Sequence, residues 1–172
     1  MRMFRRVPQL AADRRPPLEN GERILAWAPV DGVDGVVVVT NRGLWLPGRD
    51  ARVGYHAIHK AAWSGRSLEL TQGRIVEERD TYTVVADLPV ETLVLPEPDD
   101  VPVQVRARVT RSVGYTVHYR LPGGGGVRVV ARHVSGVDGV TWTVRYDPGT
   151  DGDAPDVVEA TASLVAQARA AV

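Results

Sequence analysis

The chain of 172 residues contains no cysteine. That excludes a disulfide scaffold, a thiolate zinc site, an iron–sulfur cluster and a cysteine nucleophile. Of the 21 basic side chains, all but Lys60 are arginine. Phe4 is the single phenylalanine, so aromatic packing falls to four tryptophans and five tyrosines. Nowhere do about 18 apolar residues follow one another, so no membrane-spanning helix is expected. Net charge is also missing: 21 basic residues balance 21 acidic ones. A strongly basic nucleic-acid binder is thereby disfavoured. The start is basic, with Arg2, Arg5 and Arg6, but no apolar run follows it. No secretory signal is expected, and the chain reads as cytoplasmic.

What is present is ordinary globular composition, 44% hydrophobic and 24% charged. The length suits one domain with a short appendage. Residues 1–20 form a Pro- and Arg-rich arm without periodicity, expected to be mobile or docked. Residues 21–172 read as a single, mainly β domain. Ile24 to Ala28, Val36 to Thr40 and Leu44 to Leu46 are strand candidates, punctuated by Pro29, Asn41-Arg42-Gly43 and Pro47-Gly48. The β-branched run Val36 to Thr40 suits a strand buried on both faces. Shorter candidates are Arg52 to Tyr55, Ala62-Trp63, Ser67 to Thr71, Val84 to Ala86 and Thr92 to Leu95.

The second half alternates more regularly. Val103, Val105, Ala107 and Val109 interleave with polar residues. So do Val113 to Leu121, Val127 to His133 and Val140 to Tyr146, joined by Gly-containing turns. Period two predicts antiparallel strands with one buried face. A helix is predicted over about 154–171, with Asp153 as cap, Pro155 in the first turn and Val157, Thr161, Leu164, Ala168 and Val172 on one face. The fold class is thus mainly β, a strongly bent antiparallel sheet or barrel capped by a C-terminal helix.

Certain stretches carry a resemblance. They are Arg23 to Ala28, the run Val36 to Leu44, Arg52 to Ile58, and Ala62-Trp63. Together they resemble the opening of bacterial PH-like and GRAM-like domains. From Glu22 through the terminal helix, the layout is similar to a group of uncharacterised actinobacterial proteins. The resemblance implies a bent seven-stranded barrel closed by a helix, and a binding role toward lipids or peptides. It supplies no catalytic residue and no cofactor.

Chemistry-bearing clusters are few. His56 and His59 form the one close histidine pair, with Asp50 the nearest acid, and read as loop-edge residues rather than metal ligands. The tract Gly123 to Gly126 lies between two strands, so it reads as a hairpin turn rather than a phosphate loop. Ser64, Ser112 and Ser135 lie in no nucleophile elbow. Glu77-Glu78 and Asp99-Asp100 read as solvated pairs. A non-catalytic protein without cofactor or metal is expected.

Charge patterning is more informative. Residues 67–100 sum to −7 and residues 101–145 to +6. In the second block the alternation puts Arg106, Arg108, His118, Arg120, Arg128, Arg132 and Arg145 opposite the apolar face. A hairpin centred on Gly124 would set Arg120 against Arg128, which is unfavourable without an anion nearby. Either the acidic block covers this face or an external partner does. The leading reading is a PH-like binding module that meets a protein partner of acidic character. An anionic lipid or a nucleic-acid backbone, the latter also met by the arm, are other anionic surfaces for it. The alternative is a carrier or enzyme with its ligand inside the barrel, near Tyr115, Tyr119 and Trp142. A homodimer through an open strand edge is compatible with either.

Overall fold

The computed structural model describes residues 6–172. Strands hold 37% of the residues and helices 21%, so the protein is mainly β, with a helix at its C-terminal end. The described chain divides into two compact units: residues 6–72 with 89–110, and residues 73–88 with 111–172.

In the first unit, β1 (Ile24–Pro29), β2 (Val36–Thr40) and β3 (Leu44–Trp45) form an antiparallel sheet. All five residues of β2 are buried. The two faces explain the uninterrupted β-branched run. Val37 and Val39 face the main core of the unit, while Val36 and Val38 pack with Leu10 and Trp45. Leu10 belongs to the arm, which is docked through Pro8 and Leu10. The Trp27 indole N–H donates to the Pro8 carbonyl at 2.7 Å. The arm before Arg6 lies outside the described residues. A second group pairs β4 (Ile58–Trp63) and β7 (Glu91–Val94) with the first half of β5 (Ser67–Glu78). Leu68, Leu70, Leu93 and Leu95 join the same core.

Helix α1 (Val101–Ser112) completes this core with Val101, Val105 and Val109. Here the expected strand over Val103 to Thr110 is overturned. Valines two apart are also valines four apart, so residues 101, 105 and 109 satisfy a helical stripe equally well. Burial decides between the periods: Val105 is fully buried, whereas Val103 is 63% exposed. Pro102 sits in the first turn, where its missing N–H costs nothing.

The second unit is a five-stranded sheet with a helix on one face. Its order is the second half of β5, then β6 (Thr83–Asp87), β10 (Thr141–Tyr146), β9 (Gly126–Arg132) and β8 (Val113–Arg120). The β6–β10 pair is parallel and the others are antiparallel. Helix α2 (Pro155–Ala171) buries Val157, Thr161, Val165 and Ala168 against Val84, Val127, Val129 and Val144. Pro155 opens it as expected, but Asp153 is not its cap. Ala154 occupies that position with no side-chain cap, and the Asp153 N–H donates to Asp151 Oδ1 at 3.1 Å. Val172, expected on the buried stripe, is 69% exposed beyond the last turn. The loop leading into the helix is tied by Arg79, which bonds the hydroxyls of Tyr82 and Tyr146 and the carbonyl of Gly152.

Candidate functional site

The β8–β9 hairpin sets the register of the cationic residues. Gly123, Gly124 and Gly125 all hold positive φ, a conformation that side chains with a Cβ resist. The turn places Arg120 against Gly126 and Arg128 against His118. The expected Arg120–Arg128 pair is therefore two residues out of register, because the turn closes around Gly123 rather than Gly124. On the far side of β9, Arg128 pairs with Arg145. His118, Arg128 and Arg145 thus form a row across three adjacent strands. The alternate residues Val127, Val129 and Val144 point into the α2 core, so this row lies on the opposite face.

Two acids of the same unit take up part of the charge. Arg145 donates to Asp87 at 2.7 Å, and His118 Nε2 lies 2.7 Å from Asp147 Oδ2. Asp87 comes from the acidic block, so the −7 segment neutralises one end of the row. Two of its other acids work elsewhere: Glu77 bonds Arg79 and Glu91 bonds Arg49. Arg128 binds only the hydroxyl of Thr116, at 3.3 Å, and Arg120 is exposed with no acid against it among the described residues. Arg132 is buried and donates to Ser112 Oγ at 2.9 Å. Burial, and secondarily the charge of Arg145, hold its guanidinium below the usual arginine range.

Arg106 and Arg108 do not belong to this sheet. Both lie on α1 in the first unit, where Arg106 is exposed and Arg108 Nη1 reaches the Asn41 carbonyl at 3.4 Å. The accessible surface is therefore His118, Arg120, Arg128 and Arg145, framed by Thr116, Asp87 and Asp147, while Arg132, expected among them, is buried. The periodicity of residues 113–146 found the cations. It could not find the two acids, which lie at strand ends outside the alternation.

The aromatic residues named for an internal ligand pack on one another. The rings of Tyr115 and Trp142 lie 5.6 Å apart, and the hydroxyls of Tyr115 and Tyr119 are 2.9 Å apart. A cleft of about 390 Å³ lies instead in the first unit, between the arm at Arg14-Arg15 and the outer face of β2 and β3 at Val36 and Trp45. His56 falls in a 3-10 turn and His59 in β4.

One buried carboxylate was not singled out by the sequence. The Glu22 side chain is fully buried and accepts hydrogen bonds from Thr40 Oγ1, Trp45 Nε1 and the Glu19 N–H, all within 3.0 Å. Arg52 reaches it at 3.3 Å. Burial raises its pKa, but the hydrogen bonds and the Arg52 charge outweigh that and leave it below the ordinary value.

No protein-family model, curated protein or solved structure matches the chain.

Proposed function

We propose that this protein is a non-catalytic binding module that meets an acidic protein partner through the cationic face of its second unit. The observation that carries this reading is the His118–Arg128–Arg145 row with Arg120 beside it. Both Arg120 and Arg128 lack an acid partner within the described chain. Like charges in a cross-strand row disfavour the sheet unless an anion joins them. Bidentate guanidinium–carboxylate contacts would satisfy that need.

The test is capture of partners from native lysate, with bound proteins identified by mass spectrometry. Arg120→Glu with Arg128→Glu should abolish retention of an acidic protein that the wild type retains. Arg106→Glu, on α1, should leave it intact. Equal retention by the double variant, with an unchanged circular dichroism spectrum, would refute the assignment. Retention dominated by RNA or anionic lipid would replace the partner class.

A further inference from the structure

The sheet of the second unit has two outer strands, and they are finished differently. At one end is β5 beyond Gln72, where the register slips between Ile75 and Glu77, and Arg74, Glu77 and Glu78 are exposed. A bulge and charges are devices that blunt an edge against pairing. At the other end is β8. It pairs with β9 from Val113 to Arg120, with a slip of register between Val113 and Tyr115, and among the described residues no strand pairs with its outer side. Its register is regular from Tyr115 to Arg120, and it carries no proline, no lysine and no acid. Its eight residues exceed the commonest strand length of about five or six. From Tyr115 to Arg120 this edge is unbulged, and Arg120 is the one arginine on it.

The direction of the free backbone groups follows from one hydrogen bond. The Leu121 N–H donates to the Gly125 carbonyl at 3.1 Å, so residue 121 faces β9. Alternation then turns the N–H and C=O of Tyr119, Val117 and Tyr115 toward β9. Those of Arg120, His118 and Thr116 turn outward. Gly126, opposite Arg120, agrees: its N–H and C=O are bonded to Thr150 and Asp147, not to β8. The same three outward residues carry their side chains on the cationic face. Tyr115, Val117 and Tyr119 lie half-buried on the other face.

We infer that β8 accepts an extended acidic peptide segment as a further antiparallel strand. This rests on the binding role proposed above and specifies the partner's conformation. The main chain of the segment would bond Thr116, His118 and Arg120. In an antiparallel pair, the residues bonded to those three share their face. Acids at these alternate positions meet Arg120 and, one strand in, Arg128, while Asp147 already holds His118. The intervening residues extend the half-buried face beside Tyr115 and Tyr119, which suits apolar side chains.

The probe is a synthetic ten-residue peptide in which aspartate alternates with valine, titrated into the full chain by fluorescence anisotropy. A second peptide carries N-methyl groups on the aspartate amides, which keeps every charge but removes the ladder donors. The parent should bind, and N-methylation should weaken it at least tenfold. Thr116→Pro, which removes an outward N–H and leaves the β9 ladder whole, should weaken it similarly. Should that variant misfold, the N-methyl comparison on wild-type protein still decides. If both peptides bind equally, edge pairing is refuted while the charged-face reading stands. If Arg120→Glu with Arg128→Glu leaves binding of the parent unchanged, the charged-face reading fails too. Failure of the parent to bind overturns the edge inference.

Discussion

Glu22 shows how much a single buried side chain can organise. It sits between the arm, through Glu19, the loop after β3, through Arg52, and the sheet, through Thr40 and Trp45. A buried charge is tolerated only when its lone pairs are filled, and these are. Glu22→Gln keeps the shape but halves the acceptor capacity and removes the charge facing Arg52. It should cost about 2 kcal/mol at neutral pH, measured by urea unfolding. The pH dependence has a defined sign. The folded-state pKa lies below the ordinary 4.5, so the carboxylate stabilises the fold above that value. That contribution is lost as pH falls below 4.5 through the folded value. Wild-type stability should therefore drop over this range more steeply than that of Glu22→Gln. Parallel profiles would mean that Glu22 contributes no differential protonation.

Among the elements, the β8–β9 turn controls which cations face each other, and its glycines are not equivalent. A Cβ on Gly123 meets open space, whereas one on Gly125 runs into the Thr150 side chain. Both positions have positive φ. Gly123→Ala should cost about 1 kcal/mol from backbone strain alone. Gly125→Ala should cost about 1–3 kcal/mol more, because Thr150 must shift and release the Gly126 N–H. Equal losses by thermal unfolding would show that the contact with Thr150 is relieved freely. The legibility of the sequence differs in the same element-by-element way. Val36 to Thr40 was readable because a run apolar at every position fits only a strand covered on both sides. Residues 113–146 were readable because Val, Tyr, Thr and Trp dominate the alternating runs and Gly-containing turns bound them. Residues 101–110 were misread because valines at 101, 105 and 109 satisfy both periods, and the core they enter is built by residues far away in sequence. The same error put Arg106 and Arg108 on the wrong surface. Asp87 and Asp147 were invisible as partners, since strand-end contacts depend on register rather than pattern.

For the whole molecule, zero net charge is a cancellation of blocks that the fold removes only in part. Asp87 meets Arg145, but most of the +6 block is not covered by the −7 block. Binding of an acidic peptide should accordingly weaken as ionic strength rises from about 0.05 M to about 0.5 M, since exposed charges are screened within roughly 10 Å or less. Affinity independent of salt would indicate apolar recognition instead. The chain order of the two units carries a further consequence. Residues 73–88 belong to the second unit yet interrupt the first, between its pieces 6–72 and 89–110. No single cut separates the units: division after residue 110 strips the second of its first two strands and leaves the first carrying a hairpin it cannot use. The two units are therefore interleaved along the chain, and the second cannot assemble all its strands until translation has passed well beyond residue 110.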